Sequence, residues 1–170
     1  MDEDKLNRLP TDVKKQFLKL ALKLSEKKTK SKVHDDFLSF VKHVWPEFIE
    51  GPHHKKIAEK FNRLAKGEVK RLIINMPPRH TKSEFASFLL PSWMVGRKPD
   101  LKIIQTTHTT ELAIRFGRKA KNLMDSPEYK QVFQTRLKED SQAAGKWETE
   151  QGGEYFAAGV GSAITGRGAD

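Results

Sequence analysis

Lys82 and Ser83 are the neighbouring residues best placed to do chemistry in this 170-residue chain. They follow the polar loop Pro77-Pro78-Arg79-His80-Thr81 and open a stretch, Lys82 to about Gly96, that is apolar enough for a packed helix. Backbone N–H groups at the start of a helix, helped by its dipole, form a site for an anion. A lysine there reaches terminal phosphates as a point charge, and the hydroxyl after it can ligate Mg²⁺. The usual phosphate-loop pattern, G-x-x-x-x-G-K-[ST], puts glycine where this chain has Met76 and Thr81. Thr81 matters most, because a β-branched residue at positive φ is strained where glycine is not. Two outcomes are open: Thr81 keeps a negative φ, or nucleotide affinity is reduced. The same residues would also serve as a plain turn from strand to helix.

Other chemistry is sparse. His34, His43, His53, His54, His80 and His108 show no metal-ligand spacing, and His53 and His54 cannot both face one ion from a regular helix. Asp35-Asp36 reads as a helix cap rather than a catalytic pair. With no cysteine there is no disulfide, thiolate zinc site or Cys nucleophile, which suits a reducing compartment.

The loop needs a strand before it and a helix after it. Arg71 to Met76 is short, β-branched and bounded by Pro77-Pro78, which predicts a buried strand. Pro91 is expected to kink or break the helix that follows the loop. Leu101 to Thr107 reads as a second strand, Thr109 or Thr110 as the cap of a helix through Met124, and Ser126-Pro127 as the start of a short helix through Phe133. A polar connection is expected from Lys138 to Lys146, then a strand over Gly153 to Val160 and a Gly-rich loop. Upstream, one helix runs from Asp35 to Trp45-Pro46, and another from Gly51-Pro52 to a cap at Gly67. Thr11 is the expected N-cap of a first helix to about Lys30, the core of an appended, solvated arm. Strands alternating with helices predict an α/β fold with a parallel sheet.

A net charge of +10 invites an anionic partner. The excess surrounds the loop: residues 37–110 hold 13 basic and 6 acidic side chains, while 111–170 balance at 9 and 9. No stretch approaches the ~18 apolar residues that span a bilayer. The acidic start, Met1-Asp2-Glu3-Asp4-Lys5, has no apolar run behind it, so no secretory signal is expected.

The stretch Asn75-Met76-Pro77-Pro78-Arg79-His80-Thr81-Lys82-Ser83-Glu84 resembles the deviant Walker A loop of large terminase subunits, the ATP-driven DNA-packaging motors of tailed bacteriophages. That family commonly shows Pro-Pro-Arg-His-Gly-Lys-Ser, so only Thr81 departs. Gly67 to Ile74, Pro127-Glu128-Tyr129, Trp147, Gly152-Gly153-Glu154-Tyr155 and the block Gly159 to Asp170, ending Gly-Arg-Gly-Ala-Asp, resemble the family in the expected order. The resemblance covers about residues 35–170 and leaves 1–34 as a helical, basic N-terminal arm.

The resemblance implies a P-loop NTPase of the additional-strand type, a parallel sheet flanked by helices that uses ATP and Mg²⁺ to drive double-stranded DNA into a procapsid. Pro78, Arg79, His80, Thr81, Lys82 and Ser83 would form the phosphate loop, with Lys82 on the β/γ-phosphates and Ser83 on Mg²⁺. Arg79 matches a loop arginine proposed to sense or stabilise the γ-phosphate. The adenine-contacting segment corresponds to Pro52-His53-His54-Lys55-Lys56, which lacks the family's usual Gln and leaves His54 as the adenine contact. Arg167 is either a second phosphate contact, within the chain or toward a neighbouring subunit, or a tie for its Gly-rich loop. The implied partners are double-stranded DNA, the portal protein, the small terminase subunit and further copies in a ring; no membrane is involved, and the setting is the host cell cytoplasm.

In that family the Gly-Arg-Gly-Ala-Asp block leads into a hydrophobic strand carrying an acidic pair that holds Mg²⁺ and polarises water. Asp170 precedes that strand and is not its Mg²⁺ carboxylate. The acidic pair, the coupling segment and the nuclease domain would all follow Asp170. The 170 residues are therefore expected to be an incomplete N-terminal portion of the ATPase domain, with weak nucleotide binding and no turnover. Two other functions fit: a non-enzymatic DNA-binding or assembly module, and another P-loop motor such as a helicase.

Overall fold

The computed structural model describes residues 10–170, so the acidic start of the arm lies outside the described residues. Helix α1 (Thr11–Asp35) runs about a turn past its expected end. Pro10 precedes it and no side chain caps it, so Thr11 is its first residue rather than its cap. Only Val33 is buried on this helix, while Phe17, Leu18, Leu20, Leu22 and Leu24 face outward. Its last turn is held by the Trp93 indole, which donates to the carbonyls of Val33 and His34.

Helix α2 (Phe37–Val44) starts at Asp36, whose carboxylate accepts the Ser39 N–H. Asn62 on α3 (Pro52–Ala65) donates to the same carboxylate and accepts the Phe37 N–H, stitching the two helices together. After α3 the chain turns at Gly67 (φ 76°), with the Gly67 N–H on Leu64 O and the Glu68 N–H on Arg63 O. That paired bonding needs a left-handed residue after the helix, which glycine supplies without strain.

The helical stretch after the loop consists of α4 (Lys82–Glu84), a π-helical turn (Phe85–Leu89) and α5 (Leu90–Arg97). Pro91 does not break it. Pro91 lies in the first turn of α5, directly after the wide turn in which the Leu90 N–H reaches Phe85 O. Widening the helix before a proline relieves its missing N–H and its ring.

Strands β1 (Lys102–Thr107), β2 (Leu137–Ala143), β3 (Lys146–Thr149) and β4 (Glu154–Gly159) form one sheet in the order β1-β4-β3-β2. β1 and β4 are parallel, from Lys102 opposite Glu154 to Thr107 opposite Gly159. Between them in sequence lie α6 (Thr110–Asp125), capped by the Thr109 hydroxyl, and α7 (Pro127–Val132), capped by Ser126. β3 is antiparallel to both β4 and β2, so the sheet is mixed rather than parallel. The segment expected as a polar connection supplies β2 and the turn into β3. β2 is mostly polar and Lys138 meets Glu148 across the pair at 2.8 Å, while β3 buries Trp147 against Tyr155 of β4.

Arg71 to Met76 is a further correction. The segment turns Leu72, Ile74 and Met76 against the core and leaves Ile73 85% exposed, yet it belongs to no strand of the sheet. The period-2 pattern specifies an extended backbone, but a strand also requires a neighbour to bond. The outer edge of β1 is joined only at its start, where the Lys102 N–H donates to Asp170 Oδ2 (3.0 Å) and the Asp170 N–H donates to Lys102 O (3.1 Å).

The molecule is thus an α/β fold, a four-stranded mixed sheet with flanking helices. Its aromatic centre is Phe37, met edge-on by Phe61, Phe85 and Trp93 with ring centroids 5.0–5.4 Å apart. No described helix is long and apolar enough to cross a membrane.

Candidate phosphate-binding loop

The loop ahead of α4 holds two non-glycine residues in the left-handed region, Arg79 (φ 64°) and Thr81 (φ 59°). Thr81 therefore adopts the conformation in which glycine is normally found. For an L-residue this costs roughly 1–2 kcal/mol, so something must hold it there. Its hydroxyl donates to His80 O at 2.7 Å and accepts from His54 Nε2 at 2.7 Å. His80 Nδ1 donates to Pro78 O at 2.8 Å, bracing the turn from the other side.

Helix formation begins at Thr81, whose carbonyl accepts the Phe85 N–H. No side chain caps this helix start, so its first N–H groups remain open to an anion. Lys82 curls back across the loop and donates from Nζ to Met76 O at 3.3 Å. Ser83 is exposed beside it, and Arg79, His80 and Pro78 are exposed on the loop. Glu84 is bound by Lys119 of α6 through both carboxylate oxygens, at 2.9 and 3.0 Å. Phe85 is buried beneath the loop against Phe37, Phe48 and His54.

His54 is 5% exposed and occupies the third position of α3. Its Nδ1 accepts the Gly51 N–H at 2.8 Å, the backward reach by which a third-position side chain fixes a helix start. Burial, and then the neighbouring His53, hold its pKa below the ordinary 6.5. With both ring nitrogens engaged, His54 has no hydrogen-bonding atom left over for an adenine.

Pro78, Arg79, His80, Thr81, Lys82, Ser83 and His54 are therefore brought together, and Arg167 is not. Arg167 donates to Glu154 Oε1 at 2.5 Å and lies over the Phe156 ring at 3.8 Å. Glu154 stands opposite Lys102 at the start of β1, soon after the end of the helical stretch that begins at Lys82. Its contacts are those of a tie for the Gly-rich segment.

The Lys82 ammonium, the open N–H groups and the Ser83 hydroxyl are the donor set that suits a triphosphate carrying Mg²⁺. Among the described residues no group of three or more His, Asp or Glu could hold a metal ion by itself. A cleft of about 880 Å³ lined by Met124, Lys130, Arg136 and Glu150 lies elsewhere and includes no loop residue.

The link from His54 to Thr81 was not legible as such in the sequence. Its signal was Gly51-Pro52 followed by a histidine at the third helical position, where a side chain can turn back. No family model, curated protein or solved structure matches the chain.

Proposed function

We propose that this chain binds the phosphates of ATP, with Mg²⁺, at the 76–83 loop, as the phosphate-binding part of a terminase-like DNA-packaging ATPase. The observation that carries it is Lys82, at an uncapped helix start, with its ammonium on the loop carbonyl of Met76. A single bond to a neutral carbonyl is readily exchanged for a phosphate oxygen, which binds an ammonium more strongly. In this proposal Lys82 takes the β/γ-phosphates, the backbone N–H groups after Thr81 take the rest of their charge, and Ser83 ligates Mg²⁺. Mg²⁺, when bound, neutralises phosphate charge. Arg79, exposed on the loop, is the residue to meet the γ-phosphate.

The family resemblance supports the larger role, in which a ring of complete subunits moves double-stranded DNA through the portal. The acidic strand of that family would pair with the outer edge of β1, where Asp170 already bonds Lys102. An apolar groove of about 260 Å³, lined by Ala86, Leu90, Met94 and Ile104, lies beside that edge and would bed its side chains.

The test is binding of a fluorescent ATP analogue with Mg²⁺. Lys82→Ala is expected to weaken binding at least about tenfold, because it removes a charged hydrogen bond to phosphate. Equal binding by Lys82→Ala would move the site away from the loop.

A further inference from the structure

We infer that His54 is a positioning residue of the loop, holding Thr81 through its Nε2–H in the left-handed conformation that a glycine would otherwise supply. The inference rests on the phosphate-binding proposal for the purpose of the loop, while the clamp itself stands on geometry. A backbone N–H can only donate, so the Gly51 N–H fixes His54 Nδ1 as an acceptor at 2.8 Å. The proton of the neutral ring is then on Nε2 and is given to Thr81 Oγ1 at 2.7 Å. The hydroxyl proton of Thr81 goes to His80 O, also at 2.7 Å. From Gly51 to His80 each atom has one role, and the relay ends on the backbone of the loop.

The ring itself has little freedom. His54 is packed against Phe48 at 4.8 Å and Phe85 at 5.0 Å between ring centroids. Phe85 is in turn bonded back to Thr81 O, so the ring, the loop and the first helical turn form one closed unit. Thr81 lacks glycine's freedom, and the hydroxyl that makes it bulky is also what the histidine holds. Releasing that hydroxyl would let φ of Thr81 return to negative values and turn the adjoining N–H groups out of register for an anion.

The experiment uses the 170-residue chain with His54→Phe, His54→Gln, Thr81→Val, Thr81→Ser and the double variant His54→Phe/Thr81→Val. NMR reports the His54 tautomer from its ring nitrogens and the Thr81 backbone from its coupling constants and carbon shifts. A fluorescent ATP analogue with Mg²⁺ reports affinity. We expect the Nε2–H tautomer and a left-handed Thr81 in the wild type. His54→Phe and Thr81→Val should each release Thr81 and weaken binding about five- to tenfold, as loss of one half-buried hydrogen bond would. The double variant should be no weaker than either single one, since both remove the same link.

His54→Gln, which keeps a donor toward Thr81, and Thr81→Ser should restore most of the affinity. If His54→Phe fails to fold, the contrast of Thr81→Val with Thr81→Ser decides the matter on folded protein. A left-handed Thr81 in the absence of its partner, or losses that multiply in the double variant, would overturn the inference. Wild-type protein that binds no analogue, or binds it equally well as Lys82→Ala, would sink the phosphate proposal, while the Thr81 signals would still decide the role of His54.

Discussion

Thr81 stands where a phosphate loop normally has glycine and takes the left-handed backbone of a glycine (φ 59°), and Asp36 is a second side chain that serves two elements. Asp36 caps α2 through the Ser39 N–H and receives Asn62 from α3 at 2.8 Å. Burial alone would raise its pKa, but the bonds from Ser39 and Asn62, with Lys32 nearby, bring it below the ordinary 3.8. A carboxylate depressed in the folded state stabilises the fold above its unfolded pKa and loses that contribution as pH falls through the folded value. Asp36→Ala should therefore cost about 1–2 kcal/mol at neutral pH. Urea unfolding should show the gap to wild type closing as the pH is taken below 3.8, and a gap that does not depend on pH would contradict this. At this scale much was readable in advance: the capping by Asp36, Thr109 and Ser126. The His54–Thr81 bond was not, because it joins residues 27 positions apart.

Elements were legible where local chemistry decides them and illegible where a partner does. Capping residues and glycine at Gly67 set the limits of α3, α6 and α7 from within their own sequence. β2 and β3 escaped notice because β2 is nearly all polar and β3 holds a single buried aromatic, Trp147, so neither shows an apolar run. Arg71 to Met76 has the pattern of a strand but no neighbour in the sheet. Gly96 in α5 is a further case in which only packing explains a residue. A Cβ there would stand 2.7 Å from Phe133 Cδ1 and from the Tyr129 hydroxyl. That hydroxyl donates to Ser92 O at 2.9 Å, and both rings are buried, so neither has room to retreat. Overpacking of this kind reaches about 3 kcal/mol, against a gain of ~1 kcal/mol from replacing a helical glycine. Gly96→Ala should lower stability by about 2 kcal/mol in denaturant unfolding, and an unchanged or raised midpoint would show the two rings to be mobile.

Across the whole molecule, the fold brings six loop residues and His54 together at the start of α4 and ties Arg167 to Glu154 and Phe156 of β4. Sequence order could not separate those two outcomes, because a Gly-rich segment ending near Arg167 can return to either end of a sheet. The position is decided by Glu154 and Phe156, which face Arg167 from the start and middle of β4. The basic excess of residues 37–110 surrounds the loop in sequence, in keeping with an anionic ligand there. Under the proposed function this ligand is a nucleotide phosphate seated on the loop. Titrating isotopically labelled protein with ATP and Mg²⁺ while following every backbone amide by NMR tests it most directly. The largest shifts are expected on the amides of residues 79–84, and at the same ATP concentration they should be much reduced in Lys82→Ala. Shifts confined to the lysines of α1, or the same pattern in Lys82→Ala, would contradict it.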